Sequence, residues 1–461
     1  MWFKRTDKAE HLNINWKDFY KTIFVLVLPM ALQNLINVGV TAADVIMLGK
    51  VGEDVLSGAS LAGQIQYIMA LILFGLASGI TVLTAQYWGK GDRQTIEKIL
   101  AMGIKTAVGV SALFTVAALW IPELLLQIFT REPEVIRQGV QYIRIVAVSY
   151  ILIGITQTYL FVMRSIERVI VATVVYLFSL VSNIIWNALL IYGLGGFPAM
   201  GIKGAAIATL ISRILEVVLV FGYARLINKD VKFRFKYFWK TDRLLLKDFL
   251  VFAMPVVLNE TMWGLGTSAN TAILGHMGSA AVAANSVAQV ARQLATVVSF
   301  GLASATAIYL GKTIGEQKFK EAKAYAGKFL QLSLIMGVAG GGIILAASQL
   351  ATSLLTLSPT AKSYLHLMFI VMAYFVIGQA FNGTMVVGVF RSGGDTRFGL
   401  ILDVVTMWGC SILLGFLAAF VFKFSVPVVY VLLMSDELVK IPLTTIRYRS
   451  FKWLKDVTRE F

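Results

Sequence analysis

Cysteine is nearly absent from this sequence: Cys410 stands alone in an apolar run, which excludes an internal disulfide and any thiolate metal cluster. Histidine is almost as scarce. His11, His276 and His366 are scattered, so no paired metal ligands form from them, and Gly-Lys-Gly at positions 89–91 lacks the spacing of a nucleotide-binding loop. Neither a catalytic motif nor a cofactor is expected, and ATP is not the energy source. Charge is also thin, at 14% of residues against 58% hydrophobic ones. With a mean hydropathy of +0.77, this composition lies outside the range of water-soluble globular domains. The first twenty residues, MWFKRTDKAEHLNINWKDFY, lack a short apolar core followed by a small-residue cleavage site, so no removable leader is expected.

Apolar runs of membrane-crossing length fill the chain instead. We read twelve spans, at about 20–49, 55–87, 97–121, 136–162, 169–192, 203–226, 246–275, 280–313, 321–350, 363–389, 398–421 and 426–446. The chain is therefore expected to be an all-α polytopic membrane protein with 12 transmembrane helices. The net charge of +16 could suggest nucleic acid, but the basic residues sort by loop. Lys90, Arg164, Arg168, the run from Arg225 to Lys247, Lys312 to Lys328, Arg391 and the tail Arg447 to Arg459 share the side of the N-terminus. The positive-inside rule then puts both termini in the cytoplasm of a cell-membrane protein that has the lipid bilayer, and no nucleic acid, as partner. The polar cluster Ser435 to Lys440 reads as the end of the twelfth span.

A shift of 226 positions lays the chain on itself without a gap. Pro29 falls on Pro255, Thr41 on Thr267, Gly49 on Gly275, Phe74 to Ser78 on Phe300 to Ser304, and Gly89 on Gly315. Such a register marks two homologous halves. We divide the chain into residues 1–227, a cytoplasmic linker at 228–243, and 244–461 with a basic tail. The halves differ where chemistry would sit, since Asp44 faces Asn270 and Asn34 faces Glu260.

An ionisable group at mid-bilayer costs about 2.5–3.5 kcal/mol on insertion scales, so those that persist face a cavity or a partner. Asp44 shares one helical stripe with Asn34, Asn37 and Thr41. Pro29, upstream on the same helix, makes it easy to bend. A carboxylate beside amide and hydroxyl oxygens suits Na+, and a buried carboxylate can carry H+ instead. The alternative is a structural ion pair with Arg144 or Arg213. Asn183 and Asn187, one turn apart on the fifth span, are placed to complete the Asp44 site. In the second half, Glu260 lies in a stripe with Trp263, Thr267 and Asn270, a carboxylate-plus-indole chemistry suited to organic cations, or else it pairs with Arg292. Gln289 on the eighth span, with Gln379 and Asn382 on the tenth, would add hydrogen-bonding groups to a shared cavity.

At this point the chain resembles the multidrug and toxic compound extrusion (MATE) family of antiporters. The likeness rests on Pro29 with Asp44 and VIMLGKVG, AQYWGKGD at 85–92, Asn183 and Asn187 before YGLGG, GIKGAAIAT at 201–209, Pro255 with Glu260, and FRSGGDT at 390–396 followed by Asp403. It implies two pseudo-symmetric six-helix lobes around a cleft, with drug expelled outward as Na+ or H+ flows in. Asp44 matches the family's first-helix coupling Asp and Asn183 its fifth-helix Asn. The expected function is export of small amphiphilic, often cationic, organic compounds by a monomer. Asp44, Asn183, Asn187 and Thr41 would serve the coupling cation, and Glu260, Asn34, Asn37, Trp263, Asn270, Gln289 and Asn382 the substrate. The alternative is a flippase for a lipid-linked precursor, which would need guanidiniums such as Arg144, Arg213 and Arg292 to converge on one cavity.

Overall fold

Asn15 opens the first helix by accepting hydrogen bonds from the backbone N–H groups of Lys17 and Asp18, which would otherwise be orphaned at a helix start. Asp92, Asp242 and Ser358 cap later helices in the same way. The structure, a computed structural model, describes residues 14–240, 242–354 and 358–460. Most of the stretch in which no leader is expected lies outside these residues.

The described residues form helices and no strand. We label them α1 (Trp16–Gly49), α2 (Glu53–Lys90), α3 (Arg93–Trp120), α4 (Pro133–Val146), α5 (Ser149–Ser165), α6 (Val169–Tyr192), α7 (Ile202–Ile227), α8 (Arg243–His276), α9 (Ser279–Gly315), α10 (Phe319–Leu354), α11 (Pro359–Phe390), α12 (Thr396–Val421), α13 (Val426–Leu433) and α14 (Asp436–Arg449). Nine of these are long and apolar enough to cross a bilayer, and α4 with α5, bent by 53°, make a tenth. α8 has the length, at 34 residues, but carries Lys247, Asp248 and Glu260. α13 and α14 divide the last stretch. The arrangement is consistent with the expected twelve crossings.

That last division corrects one expectation. Ser435 to Lys440 does not leave the membrane region at the end of a span; it restarts a helix, with Asp436, Glu437 and Lys440 all buried. Two carboxylates in a first turn are favoured by the positive end of the helix dipole, so helix resumes after Met434 and Ser435.

The two halves cross at small residues. A Cβ on Gly89 would fall 2.0 Å from the carbonyl oxygen of Lys312, and one on Gly315 would fall 2.0 Å from that of Gln86. Both pairs of residues are repeat mates, so this is one contact seen twice. Gly311 faces Ala85, its own mate, which places the pseudo-twofold axis between them. Farther along, Gly75 meets Val257 and Gly301 meets Ala31, again as mates. Only glycine lets the backbones of α2, α8, α9 and α1 come this close.

The crossing lies at the end where both described termini lie, and the tail seals it. Gln86 of α2 donates to the carbonyls of Ser392 (2.7 Å) and Lys455 (3.0 Å) and accepts from the N–H of Val457 (2.7 Å). The N–H of Arg459 donates to the Tyr87 hydroxyl, its carbonyl accepts from Lys90, and its guanidinium pairs with Asp248 of α8 at 2.7 Å. Trp453 is fully buried beneath this stretch. The segment between the halves is tied down as well: the Lys232 N–H donates to Glu97, and the Arg234 guanidinium pairs with it at 2.8 Å. Phe235 and Trp239 in the same segment are exposed, as suits side chains at a lipid interface.

Replacing Gly89 or Gly315 by Ala should lower thermal stability in detergent by a similar amount, about 1–3 kcal/mol, because each new methyl meets a backbone carbonyl. Gly63, in the same α2, has open space around it, so Gly63→Ala should be neutral or stabilising by up to about 1 kcal/mol.

Candidate functional site

α1 packs against α6, and this contact brings Asp44 to the paired asparagines. The Asn187 amide donates to Asp44 Oδ1 at 2.6 Å and to Asn183 Oδ1 at 3.1 Å. Both asparagines are buried, and Asn187 Oδ1 has no hydrogen-bond partner. The centre therefore offers carboxylate and amide oxygens, the donor set of a hard monovalent cation. Asp44 forms no ion pair among the described residues. Arg213, one of the partners considered for it, is held instead by Glu216 at 2.6 Å on the same helix, and Arg144 is exposed. Thr41, also exposed, spends its hydroxyl on the carbonyl of Asn37. Asn37 is exposed and Asn34 half-buried on the same α1.

The second centre lies among α8, α11, α12 and α14. Glu260 is paired at 2.7 Å, with Arg391 rather than Arg292. The other terminal nitrogen of Arg391 donates to Ser78 of α2 at 2.9 Å, so one guanidinium ties the two halves together. A π-helical turn, Thr384–Phe390, delivers Arg391, and such turns recur at functional sites. Glu260, Trp263 and Asn382 line one cavity of about 110 Å³ with Asn259, Asp403 and Lys440. Asn382 donates to Glu437 at 2.8 Å and accepts from the Thr444 hydroxyl. Gln289 accepts from Arg292 at 2.8 Å, away from this cavity, and Asn270 is buried on α8 with its carbonyl oxygen unpartnered.

Sequence reading missed Arg391 as the partner of Glu260, and Asp436, Glu437 and Lys440 as interior groups. A signal for the latter exists in the i, i+3 and i+4 spacing of two acids and a lysine. No local signal pairs Glu260 with a residue 131 positions away.

The family profile described as MatE matches residues 29–189 and 255–444, one block in each half. The chain is a member of the MatE family. As a MatE protein it is a membrane transporter and not an enzyme. Among its relatives are a probable multidrug resistance protein NorM of Agrobacterium fabrum, 23% identical over 418 residues that cover 88% of each chain, and the uncharacterized transporter YisQ of Bacillus subtilis, 20% identical with 94% and 95% covered. The fold matches the MATE transporter VcmN of Vibrio cholerae with a TM-score of 0.86, at 16% identity, over 95% of this chain and 99% of that one. A MOP superfamily transporter from Pyrococcus furiosus matches at 0.85, with 18% identity, over 93% and 95%.

In this MatE chain, Arg391→Ala would strand the Glu260 carboxylate in a buried site, and we expect a loss of about 3–5 kcal/mol in stability. Adding Glu260→Gln should restore most of it. Thermal denaturation of both single variants and the double one checks this, and strictly additive effects would refute the pairing.

Proposed function

We propose that this MatE protein is a secondary active exporter of small amphiphilic, often cationic, organic compounds, driven by inward flow of Na+ or H+ through Asp44. The observation that carries the reading is a carboxylate inside an apolar helix that is hydrogen-bonded by the Asn187 amide and, among the described residues, is in no direct ion pair, its nearby Arg213 being bonded to Glu216. A carboxylate locked in a permanent ion pair could not exchange a cation in each cycle; this one can. Relatives named as multidrug resistance proteins support the cargo class.

The sealed end carries both described termini, and the distribution of Lys and Arg supports placing it in the cytoplasm of a cell-membrane protein that we read as a monomer. In this reading the cycle starts with a cleft between the lobes open to the outside. A cation entering from outside occupies the oxygens of Asp44, Asn183 and Asn187 and favours bending of α1 near Pro29. Rocking exposes the cleft inward, the cation leaves, and the compound binds. One charge moving across about 100 mV supplies about 2.3 kcal/mol, enough for a roughly fortyfold gradient of a neutral compound. Glu260, Trp263 and Asn382 are the substrate contacts that share a cavity, and Glu260 can meet a cationic compound only when Arg391 releases it. Release of Arg391 also frees Ser78, which links binding to movement of the lobes.

The flippase reading is not favoured. Arg213 is held by Glu216, Arg292 bonds Gln289 and Arg144 is exposed, so the three do not converge. Asp44→Asn should abolish dye efflux from proteoliposomes under both an imposed Na+ gradient and an imposed pH gradient while leaving expression intact. Undiminished efflux by the folded variant would remove Asp44 from the mechanism. In the wild type, the gradient that drives efflux identifies the ion.

A further inference from the structure

Three carboxylates share one ammonium in the second half. Lys440 Nζ lies 3.1 Å from Asp403 Oδ1, 3.0 Å from Asp436 Oδ2 and 3.3 Å from Glu437 Oε1, and its side chain is 3% exposed. Two of the three remaining oxygens are engaged as well: Asn382 donates to Glu437 Oε2, and Asn259 donates to Asp403 Oδ2 at 2.9 Å. The cluster is thus held from α8, α11, α12 and α14 at once.

The other charged and titratable groups facing it can be counted. From α9, Arg292 stands near Asp436 and Glu437, although its hydrogen bonds go to Gln289 and Gln379. From α13, Tyr430 stands beside Arg292. Glu260 and Arg391 on the cavity wall neutralise each other. Among the described residues, three acids therefore stand against two bases, which leaves one negative charge without a counterpart. An isolated charge withdrawn from water is among the most costly things a membrane protein can hold. A metal cation does not fit, because the ammonium of Lys440 already occupies the point at which the carboxylates meet. A proton fits, because it joins an oxygen and turns that carboxylate into a donor. An acceptor is waiting for such a donor: Asn259 is only 5% exposed and lines the cavity, yet its Oδ1 has no hydrogen-bond partner.

We propose that Asp403, Asp436, Glu437 and Lys440 form a second ion site that takes up one proton on a carboxylate oxygen, separate from Asp44 in the other half. Asn259, bonded to Asp403, precedes Glu260 in the chain, and Glu260 holds the Arg391 that reaches Ser78 across the seam. The proton thus sits two side chains from the contact that joins the lobes. The inference concerns protonation of the resting protein and does not rest on what is exported or on Asp44 being the coupling site.

Infrared difference spectroscopy on the full chain in lipid at neutral pH tests it, through the C=O stretch of a protonated carboxylic acid and its shift in D2O. The wild type should show this band. Glu437→Gln and Asp403→Asn each leave two acids against two bases, so each should lose a component of the band that Asp44→Asn retains. Lys440→Met should add intensity, because a second charge then lacks a counterpart. Thermal melting confirms that each variant is folded, and where Glu437→Gln does not fold, Asp403→Asn alone decides. A band that is absent from the wild type, or unchanged in the folded variants, overturns the proposal.

Discussion

A charge or amide withdrawn from water has to be answered by another group of the protein, and the helices of this chain are arranged around the places where that happens. Asp44 is answered by an amide, Glu260 by a guanidinium that spans the seam, and Arg213 by the acid one turn along its own helix. The grade of the answer separates their roles. Arg213 bonds Glu216 within α7 and makes no direct ion pair with Asp44. Glu260 with Arg391 is closed but shared with Ser78, so it registers the spacing of the halves. Asp44 is answered only in part, and the Oδ1 of its neighbour Asn187 is left open.

Scaffold and chemistry divide cleanly between what the repeat keeps and what it lets go. Kept are the glycines at which α2 and α9 cross, which must be small on both sides of the axis because each meets the backbone of the other's helix. Let go are the carboxylates of the first helix in each half. Asp44 has Asn270 as its mate and Asn34 has Glu260, so two lobes with one architecture carry different ionic centres. Asn270 is buried with an unpartnered oxygen, a polar remnant where the other half keeps a carboxylate.

Much of this could be read from residues alone, and the reason is local. A run of twenty apolar residues announces a span whatever surrounds it, and a constant offset of 226 announces the mates Gly89 and Gly315 before any contact is known. The stripe that carries Asp44 and the one-turn pair Asn183 and Asn187 follow from helical periodicity. Partners brought together from distant elements could not be read. Arg391 sits in a motif that scans as a charged loop, and nothing near Glu260 points to it. The break at Met434 and Ser435 turned what scans as the polar end of a span into an interior cluster, because a polar segment between two helices looks the same whether it faces water or other side chains. Thr41 shows the converse: it lies on the right stripe, but its hydroxyl is satisfied by its own helix.

Residues 451–459 belong to the second half yet are stitched to the first through Gln86, Tyr87 and Lys90. At the same rim, Gln86 also holds the carbonyl of Ser392. Parting the lobes at this end means releasing these five bonds, at about 1 kcal/mol net apiece, and with them the ion pair of Lys312 with Glu167 across the same crossing. The seam is therefore a latch whose bonds must open together, and much of it is a strip of backbone at the rim of the protein, away from Asp44 and from the cavity beside Glu260.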